Sequence, residues 1–231
     1  SINPDIIINC VANVNIDFCQ KYKKTAFNDN AQTVKNLVYC FKILKLKPHL
    51  IHISTDQVYN GVFKHRLSKE NEICAKNIYG ISKLKGELNL KNYKKKTIIR
   101  TNFFGKSNFS KKKSFSDIIL FNIRNKKKLY VPKNIYFNPI DLDSFFKILF
   151  KIINKRIFGT FNVGSKGYIS KSNFAKEIIK KYNLNPKYIV DYLSIFKIHK
   201  RPLVTAMNIK KIETKLKFKM PTIQRSILNN S

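Results

Sequence analysis

Two side chains suited to proton transfer stand one helical turn apart in this sequence. Tyr79 and Lys83 are separated by four positions, so both lie on one face if the segment is helical. An ammonium close to a phenol favours the phenolate and lowers the pKa of the tyrosine. Such a tyrosine can exchange a proton with a carbonyl or carbinol oxygen near neutral pH. The pair alone proves little, because about two Tyr-x-x-x-Lys matches are expected by chance in so lysine-rich a chain.

A threonine hydroxyl upstream adds a third reactive group. Thr55 lies in the string Ser-Thr-Asp-Gln-Val-Tyr-Asn-Gly, which directly follows an apolar run at residues 50–53. In open α/β sheets the functional groups gather at the carboxyl ends of the strands. We therefore expect Thr55, Tyr79 and Lys83 to meet at one edge of a sheet and to act as the catalytic residues. The alternative is a polar turn followed by a helix that carries surface lysines.

The elements that must position these groups alternate along the chain. Short apolar runs at residues 6–8, 50–53 and 97–99 predict buried strands, and apolar residues spaced three and four apart predict helices at residues 30–45 and 77–93. Another strand is predicted at residues 159–164, Ser170 opens a helix, and Asp141 can accept from the first amides of another. This alternation predicts an α/β fold: a partial Rossmann-like parallel sheet with helices on both faces and a small C-terminal lobe.

The composition limits the classes of function. The net charge of +33 suggests nucleic acid or an anionic surface, but all but six of the 46 basic residues are lysine, and arginine is the residue suited to bidentate base and phosphate recognition. We therefore predict no specific nucleic-acid partner, although a positive field favours a phosphate-bearing substrate. The sequence contains neither an apolar run long enough for a membrane span nor an N-terminal signal peptide.

The cysteines indicate neither a metal site nor a redox motif. Cys10, Cys19, Cys40 and Cys74 form no Cys-x-x-Cys pair and have no histidine at zinc-finger spacing. The simplest interpretation is four reduced thiols in a cytoplasmic protein.

An ordered series of motifs resembles the dTDP-4-dehydrorhamnose reductases, a family of extended short-chain dehydrogenases/reductases. The strings are Pro-Asp-Ile-Ile-Ile-Asn-Cys-Val-Ala from Pro4, Ser-Thr-Asp-x-Val-Tyr-x-Gly from Ser54, Tyr-Gly-x-Ser-Lys-x-x-Gly-Glu from Tyr79, Ile-Arg-Thr from Ile99, Asn-Pro-Ile-Asp-Leu from Asn138, Gly-Thr-Phe-Asn-Val-Gly from Gly159 and Arg-Pro at Arg201. They cover nearly the whole chain. The order is far more specific than any single string.

The resemblance implies a role for each matching position. Thr55 would bond the substrate carbonyl, Tyr79 would donate the proton, and Lys83 would hold the nicotinamide ribose of NADP or NAD. The implied cofactor-binding residues are Asn9, Cys10, Val11, Ala12, Asn30, Ser54, Tyr79 and Lys83. The implied substrate-binding residues are Thr55, Asp56, Gln57, Asn102, Phe103 and Arg201.

The resemblance also divides the chain into four segments. Residues 1–104 would form a partial NAD(P)-binding Rossmann-like domain and residues 105–133 a segment of the substrate lobe. Residues 134–166 would return to the Rossmann-like domain, and residues 167–231 would form the C-terminal substrate-binding lobe.

The sequence departs from the family pattern in two ways. It begins at Ser1 and lacks the Gly-x-x-Gly-x-x-Gly turn that opens family members, so it is either a fragment, which we favour, or a degenerate homologue. Gln57 stands where members of the rhamnose pathway usually carry Tyr, and Phe103 where they usually carry Trp. Polar groups in a pocket discriminate strongly between substrates, so these two residues leave the identity of the sugar undecided.

The resemblance implies reduction of the C4 ketone of a nucleotide-linked deoxysugar in polysaccharide biosynthesis. A non-catalytic nucleotide-sugar-binding or regulatory homologue is the first alternative, favoured by the missing glycine turn. An epimerase or dehydratase is the second, and Gln57 speaks against the dehydratase because an acidic residue is expected there. The oligomeric state stays open, with a homodimer as one candidate.

Overall fold

A parallel sheet with helices on both faces organises the chain, as seen in a computed structural model that describes residues 2–60, 67–107, 113–194 and 201–229. The strands are β1 (Ile6–Asn9), β2 (His49–Thr55), β3 (Lys96–Thr101), β4 (Phe103–Phe104), β5 (Leu129–Pro132), β6 (Tyr136–Phe137), β7 (Ile140–Asp141), β8 (Gly159–Val163), β9 (Ile169–Ser170) and β10 (Ile189–Tyr192). The helices are α1 (Ile16–Lys21), α2 (Lys23–Phe27), α3 (Thr33–Ile43), α4 (Ile78–Asn89), α5 (Phe115–Arg124), α6 (Leu142–Asn154), α7 (Lys171–Lys181), α8 (Lys210–Leu216) and α9 (Ile223–Asn229).

The central sheet has four strands in the order β1-β2-β3-β8, all parallel. Side chains alternate between the two faces of each strand. Leu50 and Ile98 point to one face and pack against α3, whereas Ile51 and Ile99 point to the other face, where α6 and α8 pack. Burial on both faces explains why these strands read as continuous apolar runs. The predicted α/β fold class is confirmed.

Strand β1 lies at one edge of this sheet. Among the described strands it pairs with β2 alone. Its side chains are also poorly covered, since Ile6 is 39% exposed and Ile8 is 42% exposed. Its outer row of backbone groups and part of its apolar surface therefore face outward.

A second apolar cluster forms a lobe beside the sheet. Helices α5, α7 and α9 share this core, which centres on Phe174 of α7. The Phe174 ring lies 4.9 Å from that of Phe104 and 5.4 Å from that of Phe137, both edge-on. Such aromatic pairs add about 0.5–1.5 kcal/mol beyond their burial. This cluster fixes α7, and hence its first residue, next to the carboxyl end of the sheet.

The packing departs from the predicted segment boundaries at two places. Ile212 and Leu216 of α8, which lie in the segment 167–231 predicted as the lobe, pack with Ile51 and Ile99 on the α6 face of the sheet. Their spacing of four gives α8 an apolar stripe that covers the sheet. Conversely, Phe137 of β6 packs in the lobe cluster, although residues 134–166 were predicted to belong with the sheet.

Local signals at helix starts behave as expected. Asp141 accepts from Ser144 N at 2.8 Å at the start of α6, and Ser170 accepts from Asn173 N at 3.1 Å at the start of α7. The predicted helix at residues 30–45 begins later, because a π-helical turn at Asn28–Gln32 precedes α3. None of the described helices is both long enough and apolar enough to cross a bilayer.

Candidate active site

A cavity of about 620 Å³ opens at the carboxyl ends of β1, β2 and β3. This is the edge where the strand-end rule for α/β sheets places function. Its walls come from the loop after β1, the end of β2, helix α4, the segment after β3, helix α6 and the first residue of α7. The lining residues are Ile8, Cys10, Ala12, Val14, Ile16, Ile53, Ser54, Thr55, Asp56, Gln57, Tyr79, Lys83, Thr101, Asn102, Phe103, Leu142, Phe145, Phe146, Leu149 and Lys171.

The three predicted catalytic side chains meet in this cavity. Thr55 ends β2, while Tyr79 and Lys83 lie one turn apart on α4. The hydroxyl side chains of Tyr79 and Thr55 line the cavity together with Lys83. Thr55 is itself buried, with an exposed fraction of 4%. Two hydroxyl groups and an ammonium can therefore act on one ligand.

The ammonium of Lys83 is buried and weakly basic. Its Nζ donates to Ile53 O at 2.7 Å, which is its one hydrogen bond to the described residues. Burial lowers the pKa of Lys83 to about 8, although Glu87 and Cys10 act in the opposite direction. A lysine ammonium has three protons to donate, so two remain for a ligand in the cavity.

The structure contradicts the expected lowering of the Tyr79 pKa. Burial raises the pKa of this phenol, and the negative charges of Asp56 and Cys19 add to that effect, while the hydrogen bond with Thr55 opposes it. Desolvation penalises the phenolate more than a nearby donor stabilises it. Tyr79 therefore stays protonated at neutral pH and is suited to donate a proton.

Asp56 organises the side of the cavity opposite Lys83. Its carboxylate accepts from Thr205 Oγ1 at 2.6 Å and from Asn102 Nδ2 at 2.8 Å. It also accepts from Gln57 Nε2 at 3.2 Å and from Thr55 Oγ1 at 3.3 Å. Four donors occupy the acceptor sites that a carboxylate offers, so Asp56 orients its neighbours.

Two glycines let α4 approach the rest of the site. A Cβ on Gly80 would lie 2.2 Å from Gln57 O, and a Cβ on Gly86 would lie 2.4 Å from Asn30 O. Both distances are too short for any side chain unless the backbone shifts. The helix that carries Tyr79 and Lys83 therefore packs directly against the backbone of the strand end and of the π-helical turn. This close approach explains both glycines of the Tyr-Gly-x-Ser-Lys-x-x-Gly-Glu string.

The serine of the same string ties α4 to the loop after β1. Asn30 Nδ2 donates to Ser82 Oγ at 2.9 Å, and Ser82 Oγ donates to Tyr79 O at 2.9 Å. Asn30 also bonds the loop backbone, accepting from Asn13 N at 2.7 Å and donating to Asn13 O at 3.1 Å. Asn30 thus does not line the cavity but holds the loop that does.

A buried ion pair beneath the cavity was not foreseen from the sequence. Arg100 NH2 lies 2.5 Å from Glu87 Oε2, and both side chains are 4% exposed. Glu87 also accepts from Ser54 Oγ at 2.5 Å, and Arg100 donates to Tyr59 Oη at 2.7 Å. Ser54, predicted to contact cofactor, lines the cavity and is joined to this network. The network links α4 to β2 and β3.

The remaining predicted residues differ in where they lie relative to the cavity. Cys10, Ala12, Asn102, Gln57 and Phe103 line the cavity as expected. Asn9 lies behind it, where its side chain bonds His52 Nδ1 at 3.1 Å and the Val11 amide at 3.1 Å.

Arg201 does not line the cavity. Its guanidinium binds both carboxylate oxygens of Asp17 at 3.0 Å, next to the cavity residue Ile16. The contact of Arg201 with the nucleotide stays a prediction. The residue that sequence reasoning missed is Lys171, since a single lysine carries no signal in a chain with so many.

A second cavity of about 690 Å³ continues from the first along the loop after β1. Ala12 and Val14 line both cavities, and Val11 lines the second. Among the described residues there is no cluster of side chains that could hold a metal ion. The residues present fit the nicotinamide ribose of a dinucleotide, because the available protons of Lys83 match ribose hydroxyls and the second cavity adjoins the first at Ala12 and Val14.

Comparison with known proteins identifies the family. A family model described as the RmlD substrate binding domain matches residues 1–230. The chain belongs to this family. A related protein is the spore coat polysaccharide biosynthesis protein SpsK of Bacillus subtilis (strain 168), which is 27% identical over 185 residues. The match covers 78% of this chain and 62% of that protein, so the chain spans less than two thirds of the length of this relative.

Solved structures agree with the family in fold. The dTDP-4-dehydrorhamnose reductase from Bacillus anthracis, crystallised with NADP, matches with a TM-score of 0.87 and 24% identity over 98% of this chain and 79% of that one. A hypothetical dTDP-4-dehydrorhamnose reductase from Sulfolobus tokodaii matches with a TM-score of 0.81 and 27% identity over 95% of this chain and 76% of that one. The fold of the RmlD family member described here is therefore that of the reductases.

Proposed function

We propose that this chain provides the catalytic edge and the substrate lobe of a reductase that uses NADPH or NADH. Its substrate would be the C4 ketone of a nucleotide-linked deoxysugar, in the biosynthesis of a cell-surface polysaccharide. The observation that carries the proposal is that Thr55, Tyr79 and Lys83 line one cavity at the carboxyl end of the sheet.

Each of these side chains has a distinct task in the proposed reaction. The Thr55 and Tyr79 hydroxyls bind the ketone oxygen from one side and polarise the carbonyl. The raised pKa of Tyr79 keeps its proton in place until negative charge develops on that oxygen, when Tyr79 donates it. Lys83 donates to the ribose hydroxyls of the cofactor and so positions it.

The reduced nicotinamide, when bound, supplies the hydride. Cys10, Ala12 and Ile53 form a wall beside Lys83, and their largely apolar surface helps to exclude water from the reacting atoms. Gln57, Asn102 and Phe103 line the sugar side of the same cavity.

The relatives support this assignment. The Bacillus anthracis structure is that of a dTDP-4-dehydrorhamnose reductase in complex with NADP, and the name of SpsK refers to biosynthesis of spore coat polysaccharide. The chain spans only 62% of SpsK. Activity should therefore be measured on the full-length protein.

We propose the cytoplasm as the place of action. Cys10, Cys19, Cys40 and Cys74 are all unpaired in the structure, which suits a reducing compartment. Light scattering on the purified protein measures its molar mass in solution and so tests whether it forms a homodimer.

The deciding experiment replaces Tyr79 by Phe in the full-length protein. NADPH oxidation with dTDP-4-dehydrorhamnose should fall by about 10²–10⁴-fold, the usual contribution of a general acid, while binding of dTDP stays within a few-fold. Tyr39→Phe is the matched control, because Tyr39 is 63% exposed on α3. Turnover by Tyr79→Phe at the wild-type rate would remove this phenol from the reaction.

A further inference from the structure

One cation in the cavity has no task in the proposed reaction. Lys171 is the first residue of α7, directly after the capping Ser170, and it lines the cavity together with Asp56 and Gln57. It comes from the lobe, whereas Tyr79 and Lys83 come from the sheet side. Lys171 therefore reaches the cavity from a different element than the catalytic helix.

The ammonium of Lys171 has aromatic neighbours but no hydrogen-bond acceptor within the part of the chain that the structure describes. Its Nζ lies 5.1 Å from the centre of the Phe115 ring and 5.8 Å from that of Phe137. No oxygen of the described residues accepts a hydrogen bond from it. Burial lowers the pKa of Lys171, Asp56 opposes that effect and Arg201 adds to it. A partly desolvated ammonium with three unused donors is costly unless a ligand satisfies it.

Asp56 is the carboxylate whose charge acts on Lys171, and its acceptor sites are already occupied. Its carboxylate accepts from Thr205, Asn102, Gln57 and Thr55. These donors are all neutral, so the negative charge of Asp56 attracts Lys171 without bonding it. The described residues therefore leave the donors of Lys171 available to a ligand.

We propose that Lys171 is a phosphate-binding residue of this cavity and that it holds the diphosphate of the nucleotide-linked sugar. This inference rests on the proposed function, because it deepens the description of the same site. Of the groups in such a substrate, only the diphosphate brings both negative charge and several acceptor oxygens. Lysine commonly binds phosphate as a point charge, and charge-assisted hydrogen bonds are the stronger ones.

The aromatic neighbours of Lys171 add to this preference. The two phenylalanine faces hold the ammonium through cation–π contacts and so orient it before the ligand arrives. A purely structural role would need only these contacts and the attraction to Asp56.

The test measures binding of three probes by calorimetry on the full-length protein: dTDP, inorganic pyrophosphate and thymidine. Lys171→Met should weaken dTDP and pyrophosphate about 10–100-fold, as expected for loss of a hydrogen bond to a charged group, and leave thymidine unchanged. Lys171→Arg should recover most of the affinity for dTDP. Lys180→Met is the matched control, since Lys180 is an exposed lysine on the same helix, and it should bind all three probes like the wild type.

Salt dependence provides a readout that packing alone would not change. The dTDP affinity of the wild type should fall as ionic strength rises, and that slope should be reduced in Lys171→Met but not in Lys180→Met. Equal losses for dTDP and thymidine, or an unchanged dTDP affinity in Lys171→Met, would overturn the assignment. The reductase proposal is judged separately by NADPH oxidation of the wild type, so a wild type that turns over while Lys171→Met binds dTDP normally rejects only the role of Lys171.

Discussion

Asn30 and Ser82 form a buried hydrogen bond of 2.9 Å, although they are 52 residues apart. Through it, the loop after β1 and the helix that carries Tyr79 and Lys83 are held in one arrangement. Asn30 bonds the backbone of Asn13 on the loop side, and Ser82 bonds the backbone of Tyr79 on the helix side. The position of the loop relative to the proposed proton donor thus depends on one amide side chain.

Asn30→Ala should loosen this connection. The change leaves the Asn13 backbone groups and the Ser82 hydroxyl without their partner, and each unsatisfied buried group costs about 1–3 kcal/mol. We expect a lower free energy of unfolding in urea and a higher KM for the cofactor. Asn36→Ala, at an exposed position on α3, should change neither quantity. A normal cofactor KM in Asn30→Ala would show that the loop is held by other contacts.

Gly86→Ala should destabilise the protein although alanine favours helices. The new Cβ would lie 2.4 Å from Asn30 O, and forcing extra volume into a packed contact costs about 1–3 kcal/mol. This exceeds the gain of about 1 kcal/mol in helix propensity. The measurement is urea unfolding beside Lys85→Ala, an exposed neighbour on α4 that should stay within about 0.5 kcal/mol of wild type. Equal stability of both variants would contradict the close packing.

Reductase activity should fall as the pH rises through about 8. The pKa of Lys83 is lowered by burial to about 8, so the side chain is charged below this pH and neutral above it. Loss of the charge weakens its hold on the cofactor ribose. The check is the pH profile of kcat/KM for NADPH, with circular dichroism at each pH to confirm that the fold persists. A flat profile of kcat/KM between pH 7 and 10 would show that the charge of Lys83 does not contribute to cofactor binding.

Glu87→Gln should be among the most destabilising single substitutions. It leaves the buried Arg100 guanidinium without its counter-charge, and breaking a buried pair in this way costs about 3–5 kcal/mol. Asp191→Asn provides the comparison, because it breaks the solvent-accessible pair with Lys176, where about 0–1 kcal/mol is expected. The measurement is thermal and urea unfolding of both variants. Similar losses in the two would mean that burial of the first pair has no energetic consequence.

The sequence predicted the sheet and the position of the cavity because both depend on local patterns. Apolar runs mark strands buried on two faces, and the strand-end rule then directs attention to Thr55. The spacing of Tyr79 and Lys83 correctly places both on one face of α4. These features need only neighbouring residues to be read.

Features that depend on tertiary distance could not be read in this way. The pKa of Tyr79 follows from how deeply α4 is buried, and no spacing reports burial of that depth. The Glu87 and Arg100 pair joins a helix to a strand, so neither residue stands out in a pattern. Lys171 lies on a different lobe from the other cavity residues, and lysine is too common here to draw attention.

The edge strand β1 also has a consequence for how the protein behaves in solution. Among the described strands only β2 pairs with it, so its outer backbone groups and its partly exposed Ile6 and Ile8 offer a template on which a further strand can add. The net charge of +33 keeps copies of this 231-residue segment apart while their mutual repulsion is unscreened. In about 1 M salt that repulsion reaches only about 3 Å, so this segment, studied by itself, should stay dispersed in dilute buffer and associate through β1 in concentrated salt.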